Sequence, residues 1–181
     1  SIVDTLAHRY GTYAEAGVDS FTNFSHSFER LLMENVNKRK PGDTLVLLTA
    51  DHGSVTTPFD EHFNLANHPE LRKLLVMPPT CEARLPFLYI KSGQDEAVKK
   101  YFEKTWPGEF KFINREQSLR MELFGKGTPH SDLENRIGDL IAVPTKPETY
   151  LWWPKKLNRL LGRHGGLHED EMLVPLLGFE L

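Results

Sequence analysis

Cysteine is nearly missing from these 181 residues: Cys81 is the only one, so no disulfide can form within the chain. That scarcity suits a reducing compartment and makes a cytoplasmic location the expectation. The sequence opens at Ser1 without an initiator Met, so a removed leader is compatible with it and localisation stays open. Long apolar runs are also missing. None approaches the about 20 residues that cross a bilayer, which excludes a helical membrane span within the chain. An excess of basic charge is absent too. Lys and Arg number 22 against 25 Asp and Glu, a net charge of -3, which argues against a surface devoted to a nucleic-acid polymer. There are no internal repeats and no low-complexity tracts. What remains, 39% hydrophobic and 26% charged residues, describes a globular chain: one ordinary domain, or one large domain with an insertion.

Apolar residues at Phe21, Phe24, Phe28, Leu31, Leu32 and Val36 fall on one stripe of a helix spanning Ser20 to Val36, with Asp19 or Ser20 as its cap. The basic run "NKRKPG" at 37–42 reads as its solvated last turn, where cations meet the negative end of the helix dipole. The acceptor tripeptide Asn23-Phe24-Ser25 lies inside this helical pattern and reads as accidental. Leu45 to Leu48 follow without alternation, the pattern of a strand buried on both faces. Helix, turn and buried strand is the repeating unit of an α/β sheet. Residues 56–80 are broken by Pro58, Pro69, Pro78 and Pro79. Beyond them, strands are expected at 86–91, 110–113 and 139–144. Helices are expected at 95–106, with Val98, Phe102 and Trp106 on one face, at 115–125, and after a capping box formed by Ser131 and Glu134. Strand directions are expected to be mixed.

In "LLTADHGSV", residues 47–55, the strand breaks off at Asp51 and His52, with Gly53 permitting a sharp exit. Ligands collect beyond the carboxyl ends of strands in open α/β sheets, so the position invites chemistry. Asp4 and His8 stand four apart, close enough to share a cation if the segment is helical. In "GRHGGLHEDEM", His164 precedes two glycines that let a backbone approach a bound group. Oxygen and nitrogen ligands without thiolates suit a catalytic zinc, manganese or iron rather than a structural zinc. Five such residues exceed what one open site needs, and two metals roughly 3.5–4 Å apart would use them in phosphoryl transfer. The hydroxyls of Thr49 and Ser54 read as serving local backbone groups. His26 reads as solvated, His62, His68 and His130 as loop residues, with His62 a candidate to line the site, and His168 as a helix cap. Tyr150, Trp152 and Trp153 read as packing.

"DTLAHRYG", "LLTADHG" and "GRHGGLHEDEMLVPLLGF", in that order, resemble the type I phosphodiesterase/nucleotide pyrophosphatase branch of the alkaline phosphatase superfamily. The resemblance spans residues 1–54 and 139–181. It implies an α/β fold: an alkaline-phosphatase-like sheet flanked by helices, incomplete, with a small α+β insertion around residues 55–138. It implies a di-metal site, usually zinc, with Asp4, His8 and His164 holding one ion and Asp51 and His52 the other. The family's remaining ligands and its Thr or Ser nucleophile belong to an N-terminal half, so the resemblance places no catalytic nucleophile in this chain and leaves its substrate-binding residues unknown. The expectation is the C-terminal part of a metal-dependent hydrolase of phosphodiester or pyrophosphate bonds, acting on a small phosphorylated substrate such as a nucleotide. Alone, the chain is expected to be inactive and to hold one metal ion or none. The alternatives are a phosphomonoesterase or sulfatase-like relative, or a binding module that kept part of the fold. Oligomeric state is not legible.

Overall fold

The computed structural model describes residues 2–33, 42, 44–154 and 159–180. It divides into two compact units. The first comprises 1–57, 159–164 and 169–181; the second comprises 58–158 and 165–168.

In the first unit, α1 (Ile2–Tyr10) has Asp4 in its first turn and His8 in its last. Helix α2 runs Glu15–Phe28 and continues into a π-helical turn, Glu29–Met33. It starts earlier than the sequence suggests. Neither Asp19 nor Ser20 caps it; Ala14 stands at the N-cap, and its carbonyl takes the N–H groups of Gly17 and Val18 at 2.9 and 3.2 Å. The apolar stripe is real but largely uncovered: Phe21 and Phe24 are exposed, while Phe28 is half-buried and meets Phe179 edge-on at 6.2 Å. Val36 and the basic run, apart from Gly42, lie outside the described residues.

Strand β1 (Leu45–Thr49) forms where expected but is not buried on both faces, since Leu45 and Leu47 are each 64% exposed. Its partner among the described residues is a single antiparallel strand near the C-terminus (Leu176–Glu180), and a two-stranded ribbon covers little apolar surface. A second short ladder joins β2 (Val55–Thr56), just after the Asp51-His52 loop, to Gly162–Arg163, just before His164. Two close backbone approaches fix these loops. A Cβ on Gly53 would stand 1.9 Å from the Asp170 carbonyl, and one on Gly162 would stand 2.3 Å from the Ala7 carbonyl. Only glycine fits at either position.

The second unit is built on a four-stranded sheet. In chain order it contains α3 (Pro69–Leu74), β3 (Thr80–Glu82), β4 (Leu85–Leu88), α4 (Asp95–Thr105), β5 (Phe110–Asn114), α5 (Arg115–Arg120), α6 (Leu133–Arg136) and β6 (Leu140–Pro144). The strand order is β3-β4-β6-β5, and every ladder of this sheet is antiparallel; outside it, Asn64 and Trp152 form an isolated parallel bridge. β7 (Gly162–Arg163), α7 (Glu169–Met172) and β8 (Leu176–Glu180) complete the chain in the first unit. Strand β6, which the sequence groups with the flanking segments 1–54 and 139–181, is hydrogen-bonded between β4 and β5. One face of the sheet packs against α4, whose Val98 and Phe102 are buried together with Trp106, Phe110, Leu140 and Leu151. The other face gathers Leu85, Phe87, Ile137 and Ile141 against Leu119, Leu123 and Leu133. A capping box exists, but at Asn114 and Gln117. The expected box at Ser131 and Glu134 does not form: α6 starts at Leu133, and Asp132 spends its carboxylate on the side chains of Asn135 and Arg136.

Candidate metal centre

One turn of α1 separates Asp4 from His8, so both side chains lie on the same helix face, with His8 Nε2 3.4 Å from Asp4 Oδ1. The His8 ring is oriented by its other nitrogen. Nδ1 lies 2.9 Å from the Gly162 carbonyl oxygen, which can only accept, so Nδ1 donates there and Nε2 is the nitrogen turned toward Asp4. Just before β7, the Leu161 N–H donates to the His8 carbonyl at 2.7 Å. Two hydrogen bonds thus dock β7 onto the last turn of α1, and His164 follows directly after it. The His164 ring centroid stands 5.1 Å from that of His8. One ligand atom from each of Asp4, His8 and His164 falls within 4.8 Å of the other two.

The β2–β7 ladder brings the Asp51-His52 loop to the same place. His52 stacks on His164 with ring centroids 3.7 Å apart and planes at 18°. Its Nδ1 faces the Gly53 carbonyl at 2.8 Å, so this imidazole also presents Nε2 as the free nitrogen. Asp51 lies alongside rather than inside: its side chain is 90% exposed, with Oδ2 3.8 Å from His52 Nε2. Its own backbone N–H and the neighbouring His52 imidazole hold its carboxyl below the usual carboxylate range. Asp4, His8, His164 and His52 are therefore assembled, and Asp51 is carried beside them on the loop. Asp4 and His8 are half-buried and open to solvent, and the Gly162 carbonyl fixes the His8 ring.

The local hydroxyls serve the frame. Ser54 Oγ donates to the Arg163 carbonyl at 3.2 Å, and Thr49 Oγ1 lies 3.4 Å from the Ala50 carbonyl. Sequence reasoning passed over Arg163, which is 5% exposed and donates to the Leu160 carbonyl at 2.7 Å and to Thr57 Oγ1. It locks the segment carrying His164 to the end of β2. The one available signal was its place beside His164 in "GRHGG". His26 is exposed, as expected. His62 lies in the second unit, where it contacts Phe63, His68 and Trp106. His68 is not an open loop residue: it is buried, with Nε2 2.8 Å from the His62 carbonyl and Nδ1 2.9 Å from the Tyr101 hydroxyl. Tyr150 and Trp153 pack, as the sequence suggests.

The profile of the family described as type I phosphodiesterase / nucleotide pyrophosphatase matches residues 1–167. Among solved structures, human ectonucleotide pyrophosphatase / phosphodiesterase 5 is similar at a TM-score of 0.68 and 17% identity, over 97% of this chain and 44% of its own. The murine form, in an inactive variant in complex with AMP, gives a TM-score of 0.67 at 15% identity over the same shares. Phosphonoacetate hydrolase from Sinorhizobium meliloti, in complex with phosphonoformate, gives 0.62 at 18% identity, over 97% of this chain and 43% of its own. The chain thus spans less than half the length of these neighbours, and at such identities the likeness is one of fold. It is the α/β class expected from the sequence. The comparison with curated proteins found no match.

Proposed function

Since this chain belongs to the type I phosphodiesterase / nucleotide pyrophosphatase family, we propose that it supplies part of the active site of a metal-dependent hydrolase of phosphodiester or pyrophosphate bonds. The meeting of Asp4, His8 and His164 carries the reading. Two imidazoles and a carboxylate, with no thiolate, are the donor set of an open catalytic zinc site, which takes three protein ligands and leaves a position free. Asp51 and His52 are assigned to a second ion. A divalent ion held in this way supplies positive charge to a phosphoryl oxygen. The chain's own residues do the rest: the Gly162 and Gly53 carbonyls keep the protons of His8 and His52 on Nδ1, and Asp51 stays ionised beside them. The remaining ligands and a hydroxyl nucleophile are assigned to polypeptide outside these 181 residues, in keeping with neighbours of more than twice this length. By themselves the 181 residues are assigned one tightly held metal ion at most, and no turnover. The substrate is assigned as a small phosphorylated compound of nucleotide type, which the AMP complex of the murine neighbour supports.

The test is His52→Ala in the complete gene product. Turnover of a model phosphodiester is expected to fall by about a thousandfold or more, with the circular dichroism and melting curve unchanged. Near-normal turnover would contradict the assignment.

A further inference from the structure

Three segments of the first unit carry the assembled residues: α1 with Asp4 and His8, the loop with Asp51 and His52, and β7 with His164 after it. They meet at one hydroxyl. Ser54 stands two residues after His52, half-buried, and its Oγ donates at 3.2 Å to the carbonyl of Arg163, the residue before His164. The same oxygen accepts from Thr12 Oγ1 at 3.4 Å, and Thr12 lies two residues beyond the end of α1. That second contact is long for a hydroxyl pair. It has support beside it. The Thr12 N–H donates to Thr56 Oγ1 at 3.1 Å, so two bonds fasten the turn after α1 to residues 54–56. Both hydroxyl bonds run in one direction, from Thr12 through Ser54 to the Arg163 carbonyl, and bonds in such a chain polarise one another. On the other side, the Gly53 N–H donates to the Glu171 carbonyl at 2.9 Å and steadies the backbone that presents Ser54. Neither Ser54 nor Thr12 belongs to the cluster of Asp4, His8 and His164.

We propose that Ser54, with Thr12 as its donor, is a positioning residue that sets His52 and His164 in place against α1. One hydroxyl thereby bears on three segments that are far apart in sequence. Without it, the His52 loop loses its side-chain link to the turn after α1 and to the strand before His164. The stacked rings of His52 and His164, 3.7 Å apart, then lose a constraint that holds them together. Groups that orient ligands from behind govern metal affinity by about 10- to 100-fold. That the rings serve a metal ion rests on the hydrolase reading; their positioning by Ser54 does not.

Two measurements on the 181-residue chain test the role, with Ser54→Ala, Ser54→Thr and Ser118→Ala as variants. Ser118 is the control: its buried hydroxyl also donates to a backbone carbonyl, that of Arg115 at 2.7 Å, but in the second unit. The first measurement is the NMR spectrum of the assigned His52 and His164 rings in EDTA. Stacking shields the protons of both rings, and Ser54→Ala is expected to move them toward the shifts of the exposed His26. Ser54→Thr, which keeps the hydroxyl, and Ser118→Ala are expected to leave them in place. The second measurement is zinc affinity by competition with a chelator. It is expected to fall about tenfold in Ser54→Ala and to stay within about twofold in the other two. Thermal melts exclude unfolding, and Thr12→Val, expected to shift the rings the same way by less, serves if Ser54→Ala unfolds. Unmoved rings in Ser54→Ala, equal shifts in Ser54→Thr, or the same shifts in Ser118→Ala would overturn the proposal. Unchanged zinc affinity in Ser54→Ala, where the unaltered chain binds zinc, would do the same. Zinc that fails to bind the unaltered chain, with the rings still responding to Ser54→Ala, would remove the metal centre and leave the positioning role standing.

Discussion

His8 and His52 share a device: each commits Nδ1 to a backbone carbonyl and keeps Nε2 for the cluster. The sequence makes the imidazoles and carboxylates visible as candidates. It cannot make their orienting partners visible, because the Gly162 carbonyl is a backbone group 154 positions from His8 and every residue carries one. His68 shows the converse failure. Polar, proline-rich neighbours suggest an open loop, yet the ring is buried against Trp106 and Tyr101. Burial pushes its pKa below the ordinary histidine value. The folded state therefore takes up a proton less readily than the unfolded chain, so stability is complete above the unfolded pKa of about 6.5 and is lost as pH falls through the lower folded value. The melting temperature of the second unit is expected to drop between pH 7 and pH 5. His68→Gln should flatten that slope; an unchanged slope would assign the acid sensitivity elsewhere.

Among elements, type was more legible than burial. The 3.6-residue spacing of Val98, Phe102 and Trp106 marks both a helix and its inner face, and α4 packs with that face inward. Helix α2 and β1 carry equally clear patterns, yet Phe21, Leu45 and Leu47 stay exposed, because periodicity says which face is apolar and not what covers it. The short ladder of β2 with β7 has no periodic signal at all, and it is the element that gathers the site. Two substitutions separate the roles. Gly162→Ala drives a Cβ into the Ala7 carbonyl and is expected to cost about 2 kcal/mol or more, loosening β7 from α1 and weakening zinc binding with it. Phe102→Ala is expected to cost about 3–5 kcal/mol through the cavity it leaves in the second unit's core. Denaturant unfolding and a zinc titration on both variants check this; unimpaired zinc binding by Gly162→Ala would remove β7 from the account.

In the molecule as a whole, residues from both ends of the chain meet at one cluster. Order and spacing of the three motifs revealed that meeting through their resemblance to a family; composition and periodicity alone do not bring residue 164 to residue 8. No helix among the described residues is long and apolar enough to cross a membrane, in line with the absence of long apolar runs. The central claim is that Asp4, His8 and His164 hold a metal ion, and zinc-edge anomalous diffraction from crystals of the chain grown with zinc tests it most directly. The account predicts one strong peak about 2.0–2.2 Å from an Asp4 oxygen, His8 Nε2 and a ring nitrogen of His164. A strong peak held by other residues, with this cluster empty at saturating zinc, would contradict it.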